Sequence, residues 1–305
     1  MKSILEKLFI FLLFGTLVLM FLHIFPSRKS ELTDLEEDWL KKQSDRRSTL
    51  NFTCLNKTSA SLEWKLQDMV ARQLFVDENH KLIYCEVPKV GCSNWKKIIL
   101  LLTLNMNRDA SEVDQQTIHT TKLLKRLSSY PSEQQIELLN NYTKVMFTRH
   151  PLERLVSAYR DKLLHSEPYY SITVANQIKA LLRRDQNSSE KVTFPEFVDF
   201  IVTRNHKYLD THWKPMFELC DPCNVHYDIL GKFETLIQDV NHVLRRIRAP
   251  EGLLYPYRKK MTDNTITLNY LRKLSWDQMQ KLTELYQADF SSFGYSLTFK
   301  QDIFL

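Results

Sequence analysis

The chain has 305 residues, 43% hydrophobic and 26% charged, the balance of a globular protein with room for one large domain or two small ones. Forty-two Lys and Arg against thirty-six Asp and Glu leave a formal charge of +6, which suits an anionic ligand. No Arg/Lys block carries the interleaved aromatics of nucleic-acid readers, so nucleic acid is not expected as a partner.

In chain order, the first feature is Leu8–Phe25, eighteen residues without Asp, Glu, Lys or Arg. As a helix it spans roughly 27 Å, close to the thickness of a bilayer core. It is longer than the usual apolar region of a cleaved signal peptide, and Phe25-Pro26-Ser27-Arg28 offers no small-x-small cleavage site. The expectation is a signal-anchor over 8–25. Lys2 and Lys7 before the span nearly balance Arg28 and Lys29 after it. The N-x-[ST] acceptors break the tie, because Asn51, Asn56, Asn141 and Asn187 all follow the span. The expected topology is a cytosolic tail over 1–7, one span, and a lumenal body. Residues 26–60 are polar and charge-rich and read as a stem, which leaves 61–305 as the catalytic domain. All five cysteines lie on the lumenal side, and an odd number leaves at least one free or bonded to another chain.

Short apolar runs then alternate with helical patterns. Leu82–Cys85, Val145–Thr148 and Val225–Leu230 read as buried strands, followed by helices over Trp95–Leu104, Pro151–His165 and Phe233–Arg248. Ser132-x-x-Gln135, Thr193-x-x-Glu196 and Ser275-x-x-Gln278 fit capping boxes. This order predicts an α/β domain with a largely parallel sheet, whose ligands bind beyond the carboxyl ends of the strands.

The loop after the first strand is Pro88-Lys89-Val90-Gly91-Cys92-Ser93-Asn94. The chain has only five glycines, so Gly91 between a strand and a helix marks a tight turn with close backbone approach. Loop amides and the helix N-terminus make an anion site, to which Lys89 adds charge and Ser93 a hydroxyl. A nucleotide P-loop would need G-x-x-x-x-G-K-[ST], which this segment lacks.

The segment PKVGCSNWK closely resembles the 5′-phosphosulfate loop of Golgi carbohydrate sulfotransferases. The branch is that of the N-acetylgalactosamine 4-O-, chondroitin and dermatan 4-O-, and glucuronyl 3-O-sulfotransferases. The run Arg149-His150-Pro151-Leu152-Glu153-Arg154-Leu155-Val156-Ser157 resembles that family's 3′-phosphate element, with Arg149 forking onto a phosphate and Ser157 donating from the helix. Arg154 and Arg160 read by residue type as surface or salt-bridging side chains. Leu219–Cys223, Tyr227-Asp228, Gly231–Glu234 and Asp289-Phe290-x-x-Phe293-x-Tyr295 extend the resemblance, and His150 departs from it where the branch carries Asp or Glu.

The resemblance implies a P-loop-like sulfotransferase fold, a mainly parallel sheet flanked by helices, after an N-terminal transmembrane helix. It implies transfer of a sulfonyl group from 3′-phosphoadenosine 5′-phosphosulfate to a glycan hydroxyl, with O-4 of N-acetylgalactosamine favoured and glucuronyl O-3 the alternative. The implied setting is the Golgi membrane, single-pass type II, with self-association left open. Lys89 is expected to stabilise charge on the leaving phosphate, and no metal is required. The acceptor hydroxyl needs a base. His119 matches a histidine of the branch, and His212 is the other candidate. Cys220-x-x-Cys223 with His212 and His226 superficially suggests zinc, but lacks a second full ligand pair, and a disulfide or thiol pair is preferred. A non-catalytic, membrane-tethered glycan-binding module is the competing class. Intact Lys89, Arg149 and Ser157 argue against it.

Overall fold

The structure, a computed structural model, describes residues 15–16, 36–55, 66–165, 167–183, 189–256 and 264–296. It divides into two units, Met1–Arg47 and Ser48–Leu305. No helix among the described residues is long and apolar enough to cross a membrane. The expected span over 8–25 lies outside them, apart from Gly15 and Thr16. Within the expected stem, residues 36–47 of the first unit and 48–55 of the second are helical.

The second unit is built on a five-stranded sheet of order β3-β1-β2-β4-β5. Its strands are β1 Leu74–Asp77, β2 Leu82–Cys85, β3 Lys125–Arg126, β4 Thr143–Thr148 and β5 Ile229–Lys232. The sheet is mixed, which corrects the largely parallel expectation. β2, β4 and β5 are parallel neighbours, while β1 pairs antiparallel with both β2 and β3. The run Leu74-Phe75-Val76-Asp77 forms a hairpin with β2 across Glu78–Lys81, with Lys81 at φ 51 in the turn. The third expected strand shifts toward the C-terminus, because Pro222–Val225 forms a helical turn ended by His226 at φ 55.

The helices include α1 Cys92–Thr103, α2 Pro151–Tyr159, α3 Phe194–Val202, α4 Leu236–Arg246 and α5 Trp276–Leu285. Ile98–Leu102 of α1 are all buried, so this helix is apolar on most of its circumference and lies inside the unit rather than along its surface. Tyr159, Phe194, Phe197, Trp213, Met279 and Leu282 join α2, α3 and α5 in an apolar cluster. Each fully buried side chain of this size contributes about 1.5–3 kcal/mol. The capping boxes at Thr193 and Ser275 form as expected. That at Ser132 does not, because Pro131 takes the N-cap and Ser132 begins the helix.

Strand direction positions the site. β2, β4 and β5 point the same way, and so does β3, while β1 starts where they end. All five strands therefore deliver residues to one edge of the sheet: Gln73, Glu86, Arg126, Arg149 and Phe233 flank their respective strand ends there. That edge is the crevice where α/β sheets bind ligands.

Candidate active site

A cleft of ≈ 1540 Å³ opens along this edge. Six cationic side chains line it, Arg72, Lys89, Lys96, Arg126, Arg149 and Lys162, against four acidic ones, Glu86, Asp161, Glu167 and Glu234.

The loop after β2 forms one wall. Lys89 adopts φ 72 and Gly91 φ 85, so two left-handed residues turn the chain into α1. Asn94 and Trp95 donate their amides to Gly91 O, at 3.1 and 3.2 Å, which starts the helix. The preceding amides at the helix start have no intrahelical acceptor and are the groups that a bound anion would satisfy. No acidic residue occupies the first turn of α1 to compete for them. Tyr255 Oη donates to Gly91 O at 3.1 Å, and Asn94 Nδ2 donates to Pro256 O at 2.7 Å, tying the loop to a distant segment. A Cβ on Gly91 would meet Tyr255 Oη at 2.4 Å. Of the expected loop residues, Pro88, Lys89, Gly91, Cys92, Ser93 and Asn94 line the cleft, whereas Val90 is fully buried.

The second element begins at the end of β4. Arg149 donates from Nε and Nη2 to Glu153 Oε2 at 3.3 and 3.2 Å, and from Nη1 to the carbonyl of Lys89 at 3.3 Å. Its guanidinium lies 4.4 Å from the centre of the Phe233 ring. Arg149 and Ser157 line the cleft; the residues between them do not. The His150 ring packs edge-on against Phe290 and Tyr295, Pro151 opens α2, and Leu152, Leu155 and Val156 are core. Glu153 faces Arg149.

Arg154 corrects the expectation made from its residue type. It is 1% exposed and forms no salt bridge among the described residues. Its guanidinium instead donates to three backbone carbonyls: Pro88 O at 2.9 Å, Lys214 O at 2.8 Å and Thr211 O at 2.8 Å. One buried cation thus pins the loop that carries Lys89 to the segment that carries His212.

Beyond α2 the helix widens into a π-helical turn over Arg160–Leu164. Asp161 and Lys162 from this turn line the cleft with Ser157. In i→i+5 geometry the residue five beyond Ser157 comes onto its face, and such π segments recur at functional sites. Lys89 Nζ lies 3.0 Å from Asp161 Oδ2. Burial pushes the Asp161 carboxyl up, but Lys89, with Lys162 and His212, outweighs it and holds the pKa below the ordinary value.

Both candidate histidines face the cleft. His119 sits exposed on the four-residue helix Thr117–Thr120, with its Nε2 3.3 Å from Gln115 Nε2. Burial and the nearby Lys96 push its pKa down, more than Glu86 raises it. His212 Nδ1 lies 2.7 Å from Asp210 Oδ1 and 3.1 Å from Tyr170 Oη.

Several cleft residues carried no sequence signal. Glu86 follows β2 directly and pairs with Lys96 and with Arg126, the latter at 2.8 Å. Burial raises the Glu86 carboxyl, yet these two cations together hold its pKa below the ordinary value.

The cysteines pair as Cys54–Cys223 and Cys85–Cys220, leaving Cys92 as the free thiol, in the loop itself. Cys220 and Cys223 are therefore bonded to different partners rather than to each other. No group of three or more metal-ligating side chains occurs among the described residues. Asn51 and Asn141 are exposed on helices, while Asn56 and Asn187 fall outside the described residues.

A mixed sheet thus carries two strand–loop–helix turns, one bearing Lys89 and one led by Arg149, that meet on a single cleft. The model of the sulfotransferase family matches residues 72–296, and the chain belongs to that family. It is 34% identical over 269 residues to carbohydrate sulfotransferase 8 of Mus musculus, covering 84% of this chain and 64% of the relative. Carbohydrate sulfotransferase 9 of Homo sapiens is 34% identical over 294 residues, 90% of this chain and 65% of the relative. Carbohydrate sulfotransferase 11 of Rattus norvegicus is 34% identical over 265 residues, 83% and 75%. The chain thus spans 64–65% of the length of the first two of these relatives. No solved structure matches it.

Proposed function

We propose that this chain transfers a sulfonyl group from 3′-phosphoadenosine 5′-phosphosulfate to a hydroxyl of a glycan, with O-4 of N-acetylgalactosamine as the acceptor position. The observation that carries the reading is the junction of the two elements, Arg149 Nη1 on Lys89 O at 3.3 Å, with both side chains on one cleft at the start of α1. The helix-start amides that have no intrahelical acceptor, with Lys89 and Arg149, fit a ligand with two separate anionic groups. When bound, the donor supplies the sulfonyl group and a phosphate leaving group.

The residues then divide the work. Lys89, Ser93 and the loop amides hold the phosphosulfate end, and Lys89 faces the charge that grows on the leaving oxygen. Arg149 and Ser157 hold the 3′-phosphate. The proton of the acceptor hydroxyl passes to a histidine of the cleft, His119 or His212. Names of relatives that span carbohydrate sulfotransferases 8, 9 and 11 support a glycan acceptor. A type II Golgi anchor at 8–25 completes the proposal, supported by the apolar run and the position of the N-x-[ST] sites.

Calorimetric titration with adenosine 3′,5′-bisphosphate tests donor binding, and radiolabelled sulfate transfer to N-acetylgalactosamine-terminated, chondroitin, dermatan and glucuronyl acceptors tests the acceptor. Bisphosphate affinity unchanged in both Lys89→Ala and Arg149→Ala would remove the donor assignment.

A further inference from the structure

We propose that His212, oriented by Asp210 and fixed opposite the donor loop by Arg154, is the proton acceptor for the attacking hydroxyl. The inference rests on the sulfotransfer reading and adds which of two cleft histidines acts.

Three observations favour His212 over His119. The first is orientation. Asp210 Oδ1 accepts from His212 at 2.7 Å, and the Asp210 carboxylate also takes the amide of His212, at 2.8 Å. A carboxylate on Nδ1 places the proton there and leaves the lone pair on Nε2. His212 Nε2 makes no hydrogen bond among the described residues. Among the described residues His119 has no hydrogen-bonded carboxylate, and its Nε2 is the atom that meets the Gln115 amide.

The second is rigidity. The carbonyl of Thr211, the residue before His212, receives Arg154 Nη2, and Arg154 Nε binds Pro88 O next to Lys89. His212 and Lys89 are therefore each one residue from a carbonyl held by the same buried guanidinium. Positional accuracy of this kind is what an in-line displacement between a base and a leaving-group cation requires. His119 lies on the four-residue helix Thr117–Thr120, with no such link among the described residues.

The third is charge. Asp210, Tyr170, Lys162, Glu167, Asp161 and Lys89 form one linked network that reaches His212. Asp210 lies on its own segment and Tyr170 on the turn Tyr169–Val174. Asp161, on the turn Arg160–Leu164, bonds Lys89 at 3.0 Å and meets Lys162 at 3.8 Å, and Lys162 lies 4.8 Å from the centre of the Tyr170 ring. An imidazolium formed at His212 is thus held against the Asp210 carboxylate, with Asp161 and its cations Lys89 and Lys162 in the same network. In the step itself, the hydroxyl proton moves to Nε2 as the oxygen–sulfur bond forms. The bridging sulfur–oxygen bond breaks, and its electron pair stays on the phosphate beside Lys89.

The test compares His212→Asn, which keeps a donor for Asp210, with His119→Gln and Asp210→Asn. Three readouts are taken: bisphosphate affinity, the pH dependence of kcat, and the imidazole tautomer by NMR in the ligand-free protein. His212→Asn is expected to lower kcat by about 10²–10⁴-fold and to abolish the acidic limb of the profile, with bisphosphate affinity unchanged. Asp210→Asn is expected to loosen the preference for the Nδ1-protonated tautomer of His212 and lower kcat, and His119→Gln to change kcat less than tenfold. An acidic limb that survives in His212→Asn but disappears in His119→Gln overturns the inference. Loss of transfer and of bisphosphate binding in the wild type would instead overturn the sulfotransfer reading.

Discussion

The ammonium of Lys89 is 3.0 Å from the carboxylate of Asp161. In the ligand-free cleft, the lysine assigned to the leaving phosphate is thus already held by an acid from the π-helical turn. A bound phosphosulfate competes with Asp161 for that charge, and the two anions repel. Asp161 is about half exposed, so the pair contributes no more than about 1 kcal/mol. Asp161→Asn is expected to tighten bisphosphate binding roughly threefold to fivefold in calorimetry. Weaker binding in that variant would mean that Asp161 holds Lys89 in its productive position.

Backbone geometry at the same loop gives a second expectation. Lys89 and Gly91 both lie at positive φ, a conformation that costs a non-glycine residue about 1–3 kcal/mol. Lys89→Gly and Lys89→Ala both remove the ammonium, but only the glycine relieves the strain. Thermal unfolding should therefore rank Lys89→Gly above Lys89→Ala, by about 1 kcal/mol, with both inactive. Gly91→Ala combines the strain with a contact to the buried Tyr255 and should lose bisphosphate binding as well as stability. A Gly91→Ala protein of wild-type stability and affinity would contradict the turn described here.

Arg154 makes a third. Arg154→Met would leave three carbonyls without their donor, those of Pro88 and Lys214 buried and that of Thr211 half-buried, at about 1–3 kcal/mol for each group that finds no water. Arg154→Lys can serve only part of that set, because an ammonium lacks the planar fork. Urea unfolding should rank wild type above Lys and Lys above Met. Both variants should lose turnover beyond what their folded fraction explains, because the clamp holds both sides of the cleft. Full specific activity in a folded Arg154→Met protein would reduce the residue to a packing role.

A fourth concerns pH. Burial raises the pKa of Asp289 to about 6, although the amides of Met216 and Phe217 and the charge of Arg154 pull it down. The folded chain therefore keeps a proton that the unfolded chain releases near 3.8. This contribution is full below the unfolded value and is lost as pH rises through about 6. Asp289→Asn removes the dependence. Urea titrations from about pH 4 to about pH 7 should show the variant gaining on wild type by about 2–3 kcal/mol. A gap that stays constant across that range would rule out the shift.

Much of this site was legible in the sequence because its local chemistry is self-contained. Gly91 after an apolar run, Pro151 at a helix start and Ser or Thr three residues before Gln or Glu each act within a few residues. What escaped depended on distant chain segments. Leu74–Asp77 is a four-residue strand whose pairing with β2 is set by the turn between them, and β3 has only two residues. Arg154 reads as a surface residue by type, and only the convergence of Pro88, Thr211 and Lys214 makes its burial favourable. Asp161 and Lys162 enter the cleft through a widened helical turn that no residue type announces. The pairing of four cysteines among five could not be deduced from spacing.

The disulfide Cys85–Cys220 closes the end of β2, three residues before Pro88, onto the helix that follows the His212 segment. Cys54–Cys223 adds a second tie three residues further on. A chain synthesised where thiols stay reduced would contain every residue of the cleft yet lack both covalent ties that bracket it. The redox state of the compartment of synthesis is thus written into the geometry of the site. Protein made in a reducing host and protein made in an oxidising one are, for any kinetic comparison, two different molecules.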